Sequence, residues 1–382
     1  MKVILLYHYF AHYREPVLRE LARSDVHEYE FITGDKSNHQ GMNPLLELNL
    51  GAGGDVKFEV LQNIWIKGKA LWQRGILSKL MFGDYDVFVC LGNVNIISNW
   101  VACALCRIRG KRVLMWTHGL YGGESGLVRV LRCLHYRMAS GLLLYGERAF
   151  HLLQGRGFNA SDLYVVANSL DVDRQNILYA EMCSGITDFP GAVSFEAKDS
   201  PTLLFIGRIT KQKKIHLLLE AASMLRERGK AVNVLIVGDG AELESLKSLA
   251  GRLNLLPNVC FYGPSFDEVE NAKLIYRSDM CVAPGEVGLT AMHSLVYGTP
   301  VVTHGDFSKQ GPEYEAVVSG RSGLFFREGD ILDLTDKIGD WFDGGKCRDE
   351  VRADCREIIL KKYNPSYQRE VIEKAIGGHY CD

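Results

Sequence analysis

No stretch of about 18 apolar residues occurs in the sequence, so no segment reads as a bilayer-spanning helix. No charge sign dominates either, since 44 Lys and Arg stand against 46 Asp and Glu. The resulting net charge of -2 argues against a polyanion-binding protein of the histone or repressor kind, and no nucleic-acid partner is expected. The ten cysteines are scattered, with no Cys/His array at zinc-module spacing, so no metal site is expected. Cys103 and Cys106 share the apolar run VACALC and read as packed core thiols. His8 and His12 span a strand end rather than a helix turn, which rejects a zinc pair. The opening MKVILLYHYF is too short an apolar run for a secretory signal. The expected location is cytoplasmic. A complete G-x-G-x-x-G fingerprint is also missing: VGDGAEL has Leu243 where the third Gly belongs, and YHYFAHYREP follows the first strand. This speaks against a nicotinamide dehydrogenase.

What is present is an ordinary globular balance, 47% hydrophobic and 24% charged residues in a chain of 382. That length suits two domains. Strand-like runs (KVILLYHY, HEYEFITG, VKFEVLQ, YDVFVCLG, RVLMWTHG, GLLLYG, LYVVANS) alternate with amphipathic stretches such as EPVLRELARS and IISNWVACALCRIRG. This is the pattern of parallel α/β sheets. Periodicity breaks after Asp171 and restarts at PTLLFIGR, followed by AVNVLIVGDG, VCFYG, MCVAPG, PVVTH and SGLFF with helical patterns between them. The expected division is a Rossmann-like domain over 1–175, a linker over 176–200, a second Rossmann-like domain over 201–362, and a C-terminal helix over 363–382 packing back on the first domain. Two such domains would face each other across a central cleft. Ligands of open α/β sheets bind at the carboxyl ends of the strands, so residues just after the strand runs are the informative ones.

Four such places stand out. In FIGRITKQKK, Gly207 ends a strand, Arg208 follows, and Lys213 and Lys214 open the next helix. Two cations beside a helix start suit a diphosphate. In VGDG, Gly238 and Gly240 permit a tight strand-to-helix turn near a nucleotide base. In APGEVGLTAMHSLVYGTPVV, N–H groups from Gly288 through Leu289 to Thr290 can meet a phosphate oxygen, Glu286 can hold sugar hydroxyls, and Gly298 suits a helix C-cap. In RVLMWTHGL, His118 follows a strand and precedes a glycine-containing loop. The Asp84–Asp86 and Asp171–Asp173 triplets read as turn and cap residues.

Taken in order, these pieces resemble the retaining family 4 glycosyltransferases of the GT-B fold. FIGRITKQKK is similar to that family's F-x-G-R…K segment, which implies donor-diphosphate binding by Arg208 and Lys213. VGDG and NVCFYG, with Gly238 and Gly263, resemble its nucleotide-base region. YGTPVV with SGRSGLFF resembles its closing segment, and WTHG resembles the loop that sets a histidine, here His118, beside the donor sugar. VVANSLD resembles the family's strand and loop with Asn168 and Asp171. The family's two glutamates, toward sugar and ribose, fall on Gly285 and His293 here. Glu286 lies next to the first, and His293 can hydrogen-bond a ribose hydroxyl. Where the family has a Gly-Gly loop this chain has YFAHYREP, making Tyr13 and Arg14 the residues expected to touch the acceptor.

The resemblance implies a retaining transferase that moves a sugar from a UDP- or GDP-sugar to a hydroxyl of a glycan acceptor. Its catalytic residues would be His118, Arg208, Lys213 and Glu286, with no required cofactor or metal. A nucleotide-sugar epimerase or hydrolase, and a non-catalytic two-lobed sugar-binding protein, are the alternatives. Residues 64–82 carry Lys67, Lys69, Arg74 and Lys79 among Trp65, Trp72 and Phe82, and residues 127–138 add Arg129, Arg132 and Arg137. Such stretches suit docking on an anionic leaflet and a lipid-linked acceptor. The expected location is then peripheral, at the inner face of the cytoplasmic membrane.

Overall fold

The computed structural model describes residues 1–36, 45–50, 55–185, 189–191 and 193–378. The chain forms two units, 1–171 with 364–382 and 172–363. In the first, the strands are β1 (Lys2–Leu6), β2 (Glu28–Gly34), β3 (Glu47–Asn49), β4 (Asp55–Lys57), β5 (Glu59–Ile66), β6 (Ala70–Arg74), β7 (Val87–Leu91), β8 (Arg112–Thr117), β9 (Gly141–Leu144) and β10 (Leu163–Val165). The helices are α1 (Glu15–Ala22), α2 (Ile76–Phe82), α3 (Ile97–Ile108), α4 (Gly126–Tyr136) and α5 (Glu147–Gln154). The main sheet runs β10-β9-β8-β7-β1-β2-β5-β6, parallel except for the β5–β6 pair. Both faces are covered: Val3 and Leu5 enter one core cluster and Ile4 and Leu6 the other. Burial on both sides explains why these strands read as continuous apolar runs instead of alternating ones.

The second unit holds α6 (Val172–Cys183), β11 (Thr202–Ile206), α7 (His216–Glu227), β12 (Asn233–Val237), α8 (Leu243–Arg252), β13 (Val259–Gly263), α9 (Glu268–Arg277), β14 (Met280–Ala283), α10 (Thr290–Val296), β15 (Val301–His304), β16 (Gly323–Phe326), α11 (Ile331–Asp343) and α12 (Arg348–Lys362). Its all-parallel sheet has the order β13-β12-β11-β14-β15-β16. Counted within the unit this is 3-2-1-4-5-6, the doubly wound order with its switch point between β11 and β14. The chain then returns to the first unit as α13 (Pro365–Gly377), where Ile372, Ala375 and Ile376 are buried against the sheet. The start of α13 is tied down through Ser169, whose hydroxyl donates to Gln368 Oε1 at 2.5 Å, and through Gln368 Nε2, which donates to the Ala167 carbonyl at 2.9 Å.

Three expectations need correction here. The stretch from 176 does not open as a linker, because α6 continues to Cys183 within the second unit, and Gln175 on it donates to Glu268 at 3.0 Å. Residues 186–188 and 192 of the expected linker, and 379–382 of the expected C-terminal helix, lie outside the described residues. Residues 64–82, read as one basic and aromatic stretch suited to a leaflet, do not form a single element. They form the end of β5, a turn, β6 and α2, and the turn has positive φ at Lys67 (49°) and Gly68 (65°). That pair of angles matches a type I′ hairpin turn, whose twist suits antiparallel strands. Lys79, one of the four cations of that stretch, pairs with Glu30 and Glu59 at 2.5 and 2.7 Å.

Candidate functional site

In the second unit the loops after β11, β12 and β14 meet at the switch point. Gly207 has φ 145° and its N–H donates to the Val237 carbonyl at 3.0 Å, while the Ile209 N–H donates to the Asp239 carbonyl at 2.8 Å. A Cβ at Gly238 would overlap the Gly207 carbonyl, and one at Gly240 would overlap the Ile209 carbonyl. Gly238 therefore serves close backbone approach first, and its N–H donates to the carbonyl of Gly263, itself at φ 93°. The loop then carries Arg208, which is exposed, and a short 3-10 turn over Lys211–Lys213.

Lys213 Nζ donates to the Glu286 carbonyl at 2.5 Å. Burial lowers the Lys213 pKa from its ordinary value; Glu286 opposes this and the nearby Arg208 charge adds to it. The two cations are thus close enough to repel, and such a pair attracts a polyanion. Lys214, the next cation along, is ion-paired with Glu328 and has φ 50°. The missing family glutamate has a steric reason. A Cβ at Gly285 would overlap the Gln212 carbonyl and come within 2.8 Å of Lys213 Cα. Glu286, next along, is exposed at the same loop.

The loop is braced from behind. Gln310 accepts from the Val287 N–H at 2.9 Å and donates to Thr303 and His304, and the Thr290 hydroxyl donates to the Ile206 carbonyl at 3.2 Å. Gly288 stands at φ 54°, and the N–H groups of Gly288 and Leu289 have no partner among the described residues. His293 is engaged within the unit: its Nε2 lies 3.0 Å from Glu268 Oε1, which also accepts from the Tyr297 hydroxyl at 2.7 Å. Burial alone would raise the Glu268 carboxyl. The contacts with His293, Tyr297 and Gln175 outweigh it and hold the pKa down at about 2.

In the first unit a cavity of about 420 Å³ opens at the carboxyl ends of β1, β7 and β8, again at a switch point. Tyr13, Arg14 and His118, singled out in the sequence, all line it. Tyr13 is exposed, whereas Arg14 is only 8% exposed. The Arg14 guanidinium lies over the rings of Trp116 (4.8 Å), Tyr145 (5.0 Å), Tyr7 (5.5 Å) and Tyr13 (5.8 Å). Its Nη2 donates to the Tyr145 hydroxyl, while Nη1 is buried without a hydrogen-bond partner. Each cation–π contact is worth about 0.5–2 kcal/mol. Burying a charge without a counter-ion costs several kcal/mol, which the rings oppose without supplying a negative charge.

His118 keeps exposed surface but stands in a crowded setting, its ring 4.5 Å from that of Tyr145. Crowding first, then the charges of Arg14 and Arg132, lower its pKa to about 4, which leaves it neutral at pH 7. Arg132 donates to the Gly119 carbonyl at 3.1 Å and pairs with Glu124 at 3.3 Å.

Comparison with known proteins fits this geometry. Residues 192–359 match the family described as Glycosyl transferases group 1. A glycogen synthase of Mycobacterium tuberculosis is 30% identical over 135 residues, 35% of this chain. The aligned part covers only 31% of that relative's length. Among solved structures, Anabaena Alr3699/HepE in complex with UDP superposes with a TM-score of 0.68 at 16% identity, over 99% of this chain and 100% of that one. The lipopolysaccharide outer core galactosyltransferase WaaB superposes with a TM-score of 0.71 at 16% identity, over 99% of each chain. The fold is GT-B.

In this GT-B chain the second unit brings Gly207, Arg208, Lys213, Glu286, Gly288, Leu289 and Thr290 to one sheet edge, with Gly238 and Gly263 packed behind them. Sequence reading missed the rings of Tyr7, Trp116 and Tyr145 around Arg14, together with Gln310 and Glu268, and it assigned Arg132 to leaflet docking where the structure has it line the cavity beside Glu124. Trp116 and Tyr145 lie at strand ends beside residues that were noticed, so position along the strand was the available signal. Glu268 and Gln310 carried none. No group of three or more His, Cys, Asp or Glu side chains suited to a metal ion occurs among the described residues. Among them, too, no helix is long and apolar enough to cross a membrane.

Proposed function

We propose that the protein is a retaining glycosyltransferase that moves a hexose-type sugar from a UDP- or GDP-sugar to a hydroxyl of a glycan acceptor. The observation that carries this reading is the meeting of Arg208, Lys213 and the Gly288–Leu289 N–H groups at the β11–β14 switch point. As the bond between the sugar C1 and the diphosphate oxygen breaks, negative charge grows on the leaving diphosphate, and these groups are fixed in place to meet it. The acceptor oxygen forms the new bond to C1, and its proton passes to the diphosphate oxygen that leaves from the same face. Retention follows from attack on the same face through an oxocarbenium-like state, with no protein nucleophile. Glu286 holds sugar hydroxyls, and His118, neutral at pH 7, hydrogen-bonds without adding charge. The acceptor occupies the first unit's cavity, and no cofactor or metal is part of the reading.

The UDP complex of Alr3699/HepE supports a uridine donor, and the WaaB description supports a lipid-linked acceptor. Helix α4 favours a membrane-bound acceptor as well. Leu127, Val130, Leu131 and Leu134 form an exposed stripe, 73%, 62%, 43% and 53% open, with Arg129 on the same helix and Arg137 at its C-cap. An apolar stripe on the outward face of a helix, flanked by cations, suits the surface of an anionic leaflet. Flotation with anionic liposomes should fall with added salt, since exposed charges are screened over about 8 Å at physiological ionic strength. Equal flotation on neutral liposomes, or none, removes that part of the reading.

Donor class is tested by thermal stabilisation, because a bound ligand raises apparent stability. UDP or GDP should protect, NAD should not, and release of the diphosphate should depend on an added glycan. Greater protection by NAD would overturn the donor assignment. Release that ignores every acceptor would point to a hydrolase.

A further inference from the structure

We infer that the first unit's cavity binds the anionic group of a carboxylated or phosphorylated sugar, with Arg14 as its counter-ion. The inference rests on the reading of that cavity as the acceptor site and specifies the acceptor's chemistry.

Arg14 is nine-tenths buried, yet it enters no ion pair among the described residues. Its neighbours are neutral: three phenols and an indole surround the guanidinium, and the Tyr145 hydroxyl takes a hydrogen bond from Nη2. Nη1 keeps a donor with nothing to receive it. None of the residues lining the cavity is Asp or Glu. The other lining cation, Arg132, has Glu124 beside it, so Arg14 carries the uncompensated charge. Carboxylates and phosphates suit a guanidinium in particular, because their paired oxygens match the planar N–H fork. Aromatic walls around that charge suit the apolar face of a sugar ring, while the polar side chains of Asn93 and Asn95 line the same space. A neutral sugar would leave the charge unmet. A sugar bearing a carboxylate or phosphate completes it.

The test measures binding of glucose, glucuronic acid and glucose 6-phosphate to the full-length protein by ligand-observed NMR. Saturating UDP is present, so that a phosphate group is not simply captured by the second unit. At least one anionic sugar should bind tenfold or more tightly than glucose, and the better of the two identifies the group. Arg14→Gln should abolish the difference while leaving UDP affinity unchanged, and Arg14→Lys should keep part of it. If Arg14→Gln does not fold, inorganic phosphate added to the wild type at saturating UDP must displace the preferred anionic sugar and leave glucose binding unchanged. Equal affinity for neutral and anionic sugars, including no binding by any, overturns the inference, as does a preference that survives in Arg14→Gln. Transfer to a neutral glycan by the same protein would leave the glycosyltransferase reading standing, so the two failures are distinguishable.

Discussion

The switch points of the two units are built by opposite means. In the second unit, glycines let three loops touch backbone to backbone, and the charged side chains stand outside that contact: Gly238 against Gly207, Gly240 against Ile209 and Gly285 against Gln212 leave Arg208 and Glu286 exposed. In the first unit, large rings fill the corresponding place and bury the cation among them. A site made by backbone approach is rigid and generic, suited to a group that every donor shares. A site made by packed side chains is particular, suited to the variable partner.

That contrast can be broken at Gly285. Gly285→Ala puts a methyl group where Gln212 and Lys213 now lie, so the 3-10 turn must move or the sheet edge must open. Overpacking of this kind costs about 1–3 kcal/mol, readable as a lower denaturant midpoint, and turnover should fall with it. An unchanged midpoint and rate would mean that the loop contact is loose and that the second unit's site is not backbone-built.

A smaller effect is expected at Glu268, which links α6, α9 and α10 within the second unit. Its folded pKa of about 2 lies below that of an unfolded glutamate, so its contribution to stability is full above about pH 4.3 and is lost as the pH falls toward 2. Wild type should therefore be more stable than Glu268→Gln at pH 6, with the gap closing across that window. A gap independent of pH would place the effect in packing instead of charge.

The same contrast explains what was legible in the sequence. Parallel strands buried on both faces write apolar runs, so β1, β7, β8, β11, β12 and β14 stand out. The glycine and arginine of FIGR and the glycines of VGDG mark backbone contacts over a few residues. Nothing local marks Arg14 as buried, since its rings come from β1, β8 and the end of β9. The pairing of Lys214 with Glu328 joins residues 114 apart, which no spacing rule reaches. The β5–β6 hairpin was hidden because basic and aromatic residues mixed along a stretch do not fix its secondary structure, and the antiparallel pairing from Gln62–Arg74 to Ile66–Ala70, with the positive φ turn at Lys67 and Gly68, decides it. The glycine at 285 looked like a departure from a family pattern and proves to be a packing requirement of this chain.

The central claim is that the cations at the β11–β14 switch point stabilise charge on a departing diphosphate, and steady-state kinetics of three alanine variants test it most directly. Arg208→Ala and Lys213→Ala should each lower kcat by roughly a hundredfold, the scale of losing one preorganised charge stabiliser. Donor affinity should weaken less, because ground-state binding also draws on the base and ribose. Lys211, exposed on the same 3-10 turn, is the control, and Lys211→Ala should turn over normally. Near-normal kcat in the folded Arg208→Ala and Lys213→Ala proteins would contradict the account and leave this loop an ordinary basic turn.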